Sequence, residues 1–321
     1  MIITRIIPHA GLGNQMFMYA AGLSAATRLG TVLRLCSKDF DNNQFGEDKR
    51  PYELGHFPDI TEKQASFGEL VKTCPGQVII NLLCYRRIKR GDIFRRTLRK
   101  AVNKSGLGAD FDIGGTPSRL SRLYVQQTSG YSPEFEKIPD DTMISGYWES
   151  EKYFDRCADL VRRKFTFPAE SFSPELSEKV RRCNSVAIHV RRGDKTYLAA
   201  PLPSDGKYIR HAIEKISRLT ENPSFFVFSD DMEWCRKNLP LIYDAEYTFV
   251  EGQTPLQDMA LMTLCRHVVM GPSTFSWWGA WLTEKPGKIV IAPDVKLWYK
   301  PGAYSPEERK DLLPERWVKI G

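Results

Sequence analysis

The 321-residue sequence predicts an α/β chain of two Rossmann-like halves facing a cleft. Three observations carry that expectation. The chain opens as strand, glycine turn, helix and strand, the start of a β-α-β unit. Its second half alternates short apolar runs with helix-length amphipathic segments. Several of those apolar runs stop at Gly, Asp or Ser, where ligands of open α/β sheets bind.

Taken in order, Ile2–Ile7 reads as a buried strand and Gly11-Leu12-Gly13-Asn14-Gln15 as a turn. Met16–Leu29 reads as a helix stopped by Gly30, and Val32–Cys36 as the next strand. Residues 37–75 read as loop. Val78–Val102 alternates apolar and basic residues at roughly helical spacing, and Ser105–Ser121 reads as a polar loop. Glu149–Phe165 has the pattern of one amphipathic helix, and Thr166–Pro174 that of a linker. Beyond it come strand Ser185–Val190, helix Tyr208–Leu219, strand Ser224–Phe228 and helix Met232–Leu239. Strand Tyr247–Val250, helix Leu256–Cys265, strand His267–Met270, helix Thr274–Leu282 and strand Lys288–Ala292 complete the series. Domains spanning 1–165 and 166–321 follow, with the end of the chain able to pack back on the first.

An apolar content of 42% with 26% charged residues excludes disordered and fibrous classes, and no apolar run reaches membrane-spanning length. A cytoplasmic location is the default expectation. The seven cysteines are odd in number and lack C-x-x-C spacing, which argues against a zinc site or a secreted disulfide framework. Of the net charge of +7, residues 86–104 alone carry nine basic side chains against one acid. That patch has few aromatics and no nucleic-acid module around it, so no nucleic-acid partner is expected. A solvated basic helix accounts for it, as does peripheral contact with an anionic membrane surface.

The stretch Val186–Lys195 is the most informative. Alternation along a strand places Val186, Ile188 and Val190 on one face and Ala187, His189 and Arg191 on the other. His189 and Arg191 would then enter a crevice together, where a guanidinium fork suits a diphosphate. The same spacing allows a packed histidine beside an arginine in a salt bridge to Asp194. At Gly271–Leu282, Ser273 or Thr274 can cap a helix whose first N–H groups form an anion site, while Trp277, Trp278 and Trp281 fall at core-packing spacing. Asp258 either complements a helix dipole or accepts two N–H groups of guanine. Asp230 and Asp231 end a strand as an acidic pair, a metal-binding pattern or a helix cap. The Gly11–Gln15 string lacks the third glycine of a dinucleotide fingerprint. Its glycines would let backbone approach the cleft, with Asn14 and Gln15 as hydrogen-bonding groups on the acceptor side.

Together G-L-G-N-Q-M-F-M-Y (Gly11–Tyr19), H-V-R-R-G-D (His189–Asp194), F-S-D-D (Phe228–Asp231) and S-T-F-S-W-W-G-A-W-L (Ser273–Leu282) resemble the bacterial α-1,2-fucosyltransferases of glycosyltransferase family 11. A more distant similarity runs to the α-1,6- and protein O-fucosyltransferases, which share the H-x-R-R-x-D core. The resemblance implies a GT-B fold, no metal or other cofactor, GDP-fucose as donor, a terminal galactose as acceptor, and inversion at the anomeric carbon. It implies that Arg191 holds the β-phosphate, that His189 and Asp258 flank guanine, and that Ser273, Thr274 and Phe275 line the diphosphate. The first domain would be the acceptor side and the second the donor side. Ala10 and Met18 stand where the family commonly has Gly and Gln, and Gly271-Pro272 precede Ser273. The glutamate base of the α-1,6 relatives has no match at Tyr197–Ala200, which leaves Asp194 as the candidate base by elimination.

Overall fold

The computed structural model describes residues 1–8, 10–37, 50–74, 122–192, 206–240, 245–298, 305 and 307–321. The segments expected as a helix over 78–102, a loop over 105–121 and a basic patch over 86–104 lie outside the described residues, as do Gly193 and Asp194.

Two all-parallel sheets form the frame. The first is ordered β2-β1-β4-β3, from β1 (Ile2–Arg5), β2 (Leu33–Cys36), β3 (Leu123–Val125) and β4 (Thr142–Ser145). The second is ordered β10-β9-β8-β5-β6-β7. It comprises β5 (Asn184–Val190), β6 (Pro223–Ser229), β7 (Glu246–Phe249), β8 (His267–Val269), β9 (Val290–Pro293) and β10 (Val318–Ile320). The continuous apolar runs of β5 and β6 suit strands covered on both faces. Val186, Ile188 and Val190 pack on one side with Phe225 and Val227, while Ala187, Phe226 and Phe228 face the core shared with the first half. The predicted alternation along β5 therefore holds.

Helix α1 (Leu12–Arg28) starts four residues earlier than the sequence pattern suggests. The Gly11–Gln15 string is its N-cap and first turn. Its 13 buried residues run round the whole helix, because α1 is sandwiched between β1 and a helix of the second half. Helix α2 (Phe67–Thr73), capped by Ser66 and Glu69, falls where the sequence reads only loop.

The expected single helix over Glu149–Phe165 is instead two 3-10 turns, Glu151–Tyr153 and Asp155–Cys157, followed by α3 (Ala158–Lys164). Adjacent Tyr153 and Phe154 are both almost fully buried, which a continuous amphipathic helix cannot place on one face. In the second half α4 (Pro174–Arg182), α5 (Lys207–Leu219), α6 (Met232–Asn238), α7 (Pro255–Leu264) and α8 (Thr274–Leu282) alternate with the strands.

The two halves share one core. Trp277, Trp278 and Trp281 of α8 are buried against Phe17 of α1 and Phe154, so the packing reading of the tryptophans is correct. Each indole removes on the order of 200 Å² from water, roughly 5 kcal/mol of gross transfer energy. Their ring N–H groups tie distant segments together. Trp278 Nε1 donates to Gly13 O (2.8 Å), Trp277 Nε1 to Leu312 O (2.8 Å) and Trp281 Nε1 to Glu151 Oε2 (3.0 Å).

The chain end also bridges the halves, through a 3-10 turn (Glu307–Arg309). Arg309 pairs with buried Glu149, and Asp311 takes Lys152 Nζ (2.6 Å). Among the described residues no helix is long and apolar enough to cross a membrane, and the six described cysteines are free.

Candidate active site

Three chain segments converge where the carboxyl ends of β5 and β8 meet the N-terminus of α1. The parallel register pairs His189 with Phe228 and Val190 with Ser229, so Arg191 emerges beside Asp230. Arg191 Nη1 lies 3.2 Å from Asp230 Oδ2, with the guanidinium side chain 29% exposed. The other Asp230 oxygen accepts the Arg192 N–H (2.9 Å). Arg192 Nε pairs with Asp231 Oδ2 (3.2 Å), and its guanidinium stacks 4.0 Å over the Trp234 ring. Asp231 Oδ1 caps α6 by accepting the Trp234 N–H (3.1 Å).

Among the described residues the carboxylates that orient the arginine pair are the two that follow β6, Asp230 and Asp231, whereas Asp194 lies outside the described residues. Both acids are occupied by arginines and a helix cap, which makes the helix-cap reading of Asp231 correct.

His189 is 4% exposed and its ring lies 5.5 Å from that of Phe275. Burial pushes the imidazole pKa down to about 4, helped by the Arg191 charge and opposed by Asp230. The ring is therefore neutral near pH ~7. Gly271 closes on this strand end. A Cβ there would sit 2.8 Å from His189 O and 3.3 Å from His189 Nδ1, so β8 can approach β5 only without a side chain.

The first turns of α1 and α8 touch. A Cβ on Gly13 would lie 2.5 Å from Thr274 C and 2.7 Å from Phe275 N. Ser273 is the N-cap of α8 and its Oγ accepts the Phe275 N–H (3.2 Å). Ser276 Oγ donates back to Gly271 O (3.0 Å). Ser273, Thr274 and Phe275 are each half-exposed, a polar rim at a helix N-terminus whose dipole favours an anion.

Three buried polar atoms of the motif residues have no partner among the described residues: Asn14 Oδ1, His189 Nδ1 and Asp258 Oδ1. Buried polar atoms are nearly always satisfied, and all three belong to residues singled out from sequence. Asp258 is the fourth residue of α7, in its first turn, after a capping box made by Thr254 and Gln257. Burial raises its carboxyl pKa to about 7. A carboxyl raised by folding stabilises the folded chain fully below its ordinary value of 3.8, and that contribution is lost as pH rises through about 7. The melting temperature of the ligand-free protein should thus fall between pH ~5 and ~8 relative to Asp258→Asn, which lacks the titration. Parallel melting curves for the two proteins across that range would contradict this.

Gln15 is placed differently from expectation. Both amide donors are taken, Nε2 donating to Ala10 O and Pro51 O (both 2.8 Å), and Oε1 accepts the Glu53 N–H (2.9 Å). It is a fully buried strut fastening residues 51–53 to the start of α1. Glu53 itself was not singled out from sequence. No periodicity marks it, and only the long-range contact through Gln15 brings it here.

Two parallel Rossmann-like sheets packed on one core have the GT-B arrangement. Residues 120–318 match the model of glycosyl transferase family 11, and the chain belongs to that family. It is similar to an Escherichia coli α-1,2-colitosyltransferase, 29% identical over 97% of this chain and 96% of that protein. It is also similar to human galactoside α-(1,2)-fucosyltransferase 1, 32% identical over 51% of this chain and 50% of that protein. The crystal structure of the fucosyltransferase NodZ from Bradyrhizobium aligns with a TM-score of 0.43 at 17% identity, over 87% of this chain and 91% of that one.

Proposed function

We propose that the protein transfers L-fucose from GDP-β-L-fucose to the 2-hydroxyl of a terminal galactose, with inversion and without a metal. The observation that carries this reading is the set made by the Arg191 guanidinium, held by Asp230 at the end of β5, and the α8 N-terminus beside it, where Gly271 packs on His189; Asn14, His189 and Asp258 add buried polar atoms with no partner among the described residues. A guanine diphosphate answers that set. Its base offers N–H groups to Asp258, and its phosphates suit Arg191 and the rim of Ser273, Thr274 and Phe275. The α-1,2 linkage and the galactoside acceptor are supported by what the colitosyltransferase and the human fucosyltransferase are named for.

In this reading Arg191 stabilises the charge that grows on the β-phosphate as the C1–O bond breaks. Asp230 holds the guanidinium in place beforehand, so little reorganisation is needed during reaction. A cation supplied by the protein at that point takes the role a metal has in other transferases.

One specific observation favours a second donor. The relative matched over 97% of this chain moves colitose, which is L-fucose lacking its 3-hydroxyl. Competition between GDP-fucose and its 3-deoxy counterpart separates the two.

Incubation with GDP-fucose and a panel of galactosides, with linkage mapping by NMR, tests the proposal. One GDP should be released per α-1,2-fucosylated product, at an unchanged rate in EDTA. Absence of GDP release across the panel, or loss in EDTA restored by manganese, would sink it.

A further inference from the structure

We infer that Glu53 is the general base that takes the acceptor's proton; this rests on the transfer reading above. In the step, a lone pair of the acceptor oxygen forms the bond to C1 of the sugar. The C1–O bond to the β-phosphate breaks with its electron pair leaving on GDP, and the acceptor's hydroxyl proton passes to the Glu53 carboxylate.

The placement argues for it. An inverting displacement needs its base on the face opposite the leaving phosphate. His189, Arg191 and the α8 N-terminus belong to the second half, while Glu53 comes from the first and is brought to the same junction. Its backbone N–H is held by Gln15 Oε1 at 2.9 Å, and Gln15 in turn grips Ala10 O and Pro51 O. Its carboxylate faces the Leu12 N–H in the first turn of α1. The next residue, Gly13, is packed directly on Thr274 and Phe275. The carboxylate therefore stands one residue from the contact between the two helix N-termini. A few residues along the same segment, Gly55 and His56 line a cavity of about 350 Å³ with Thr254, Leu256 and Gln257 of the second half, which gives a glycan an approach between the halves.

The chemistry of the carboxyl suits a base. Glu53 is half-buried, and burial raises its pKa above the ordinary carboxylate value, opposed by His56, the Leu12 N–H and Arg50. A carboxylate so raised is a stronger base than an exposed one. A helix-capping role alone would need only an acceptor atom at Leu12, which an amide oxygen also supplies.

That difference is the test. Glu53→Gln keeps the shape and the acceptor for Leu12 but cannot take a proton. Its kcat for fucosyl transfer should fall ~100-fold or more, with GDP affinity and melting temperature unchanged and the acidic limb of the pH–rate profile gone. Glu53→Asp should keep the limb with an intermediate kcat. A Glu53→Gln kcat within ~3-fold of wild type, or a retained acidic limb, would overturn the assignment. So would loss of GDP affinity and stability in step with rate in both variants. Should wild type transfer nothing, both proposals fall; should wild type and Glu53→Gln both transfer, only this one does.

Discussion

Replacing Arg191 with alanine should lower kcat about a hundred- to thousandfold, or roughly 3–4 kcal/mol of transition-state stabilisation. The magnitude follows from where Arg191 sits. Its backbone continues a strand packed on both faces, and Asp230 fixes one edge of the guanidinium at 3.2 Å. The charge is therefore preorganised, and its removal costs what a missing oxyanion donor costs elsewhere. Lysine is a poor substitute, because its point charge cannot hold Asp230 and a phosphate oxygen in one plane. Arg191→Lys should recover only part of the rate. Steady-state kinetics at saturating donor, with GDP affinity by calorimetry, check this. If Arg191→Ala retains turnover within ~3-fold of wild type, the charge-stabilising role is lost.

The pairing with Asp230 also shows where sequence reading stops. The face shared by His189 and Arg191 was legible because β5 is a long apolar run whose two-residue period admits one arrangement. Its neighbour in the sheet was not. Nothing local says that β5 lies beside β6 in a register that sets Arg191 against Asp230. The start of α1 was misread for a related reason. Glycines at positions 11 and 13 signal a turn locally, yet Gly13 is helical, and it is a glycine because α8 leaves no space for a side chain.

Glu53 and Gln15 mark the same boundary from the other side. A buried glutamine used as a strut looks from sequence identical to one presented to a ligand. The difference lies in partners up to 38 residues away. Motif residues were thus legible as a set, while their individual duties depended on contacts between the halves.

Gly13→Ala should be severely damaging for a single added methyl, abolishing most activity and destabilising the fold by about 1–3 kcal/mol or more. The added carbon would meet Thr274 C at 2.5 Å and Thr274 O and Phe275 N at 2.7 Å, all backbone atoms that no rotamer change can move aside. Relief requires α1 and α8 to separate. Two interactions resist that separation together: the Trp278 Nε1 bond to Gly13 O and the packing of Phe17 on Trp277 and Trp278. Whatever part of the strain is not absorbed as lost stability appears as displacement of the Ser273–Phe275 rim and of the turn that carries Asn14. Gly11 offers the internal control, since a Cβ there meets nothing within 4 Å. Gly11→Ala should leave melting temperature and GDP affinity close to wild type, whereas Gly13→Ala lowers both. Equal effects of the two substitutions would mean that backbone conformation, not contact with α8, is what the glycine string protects.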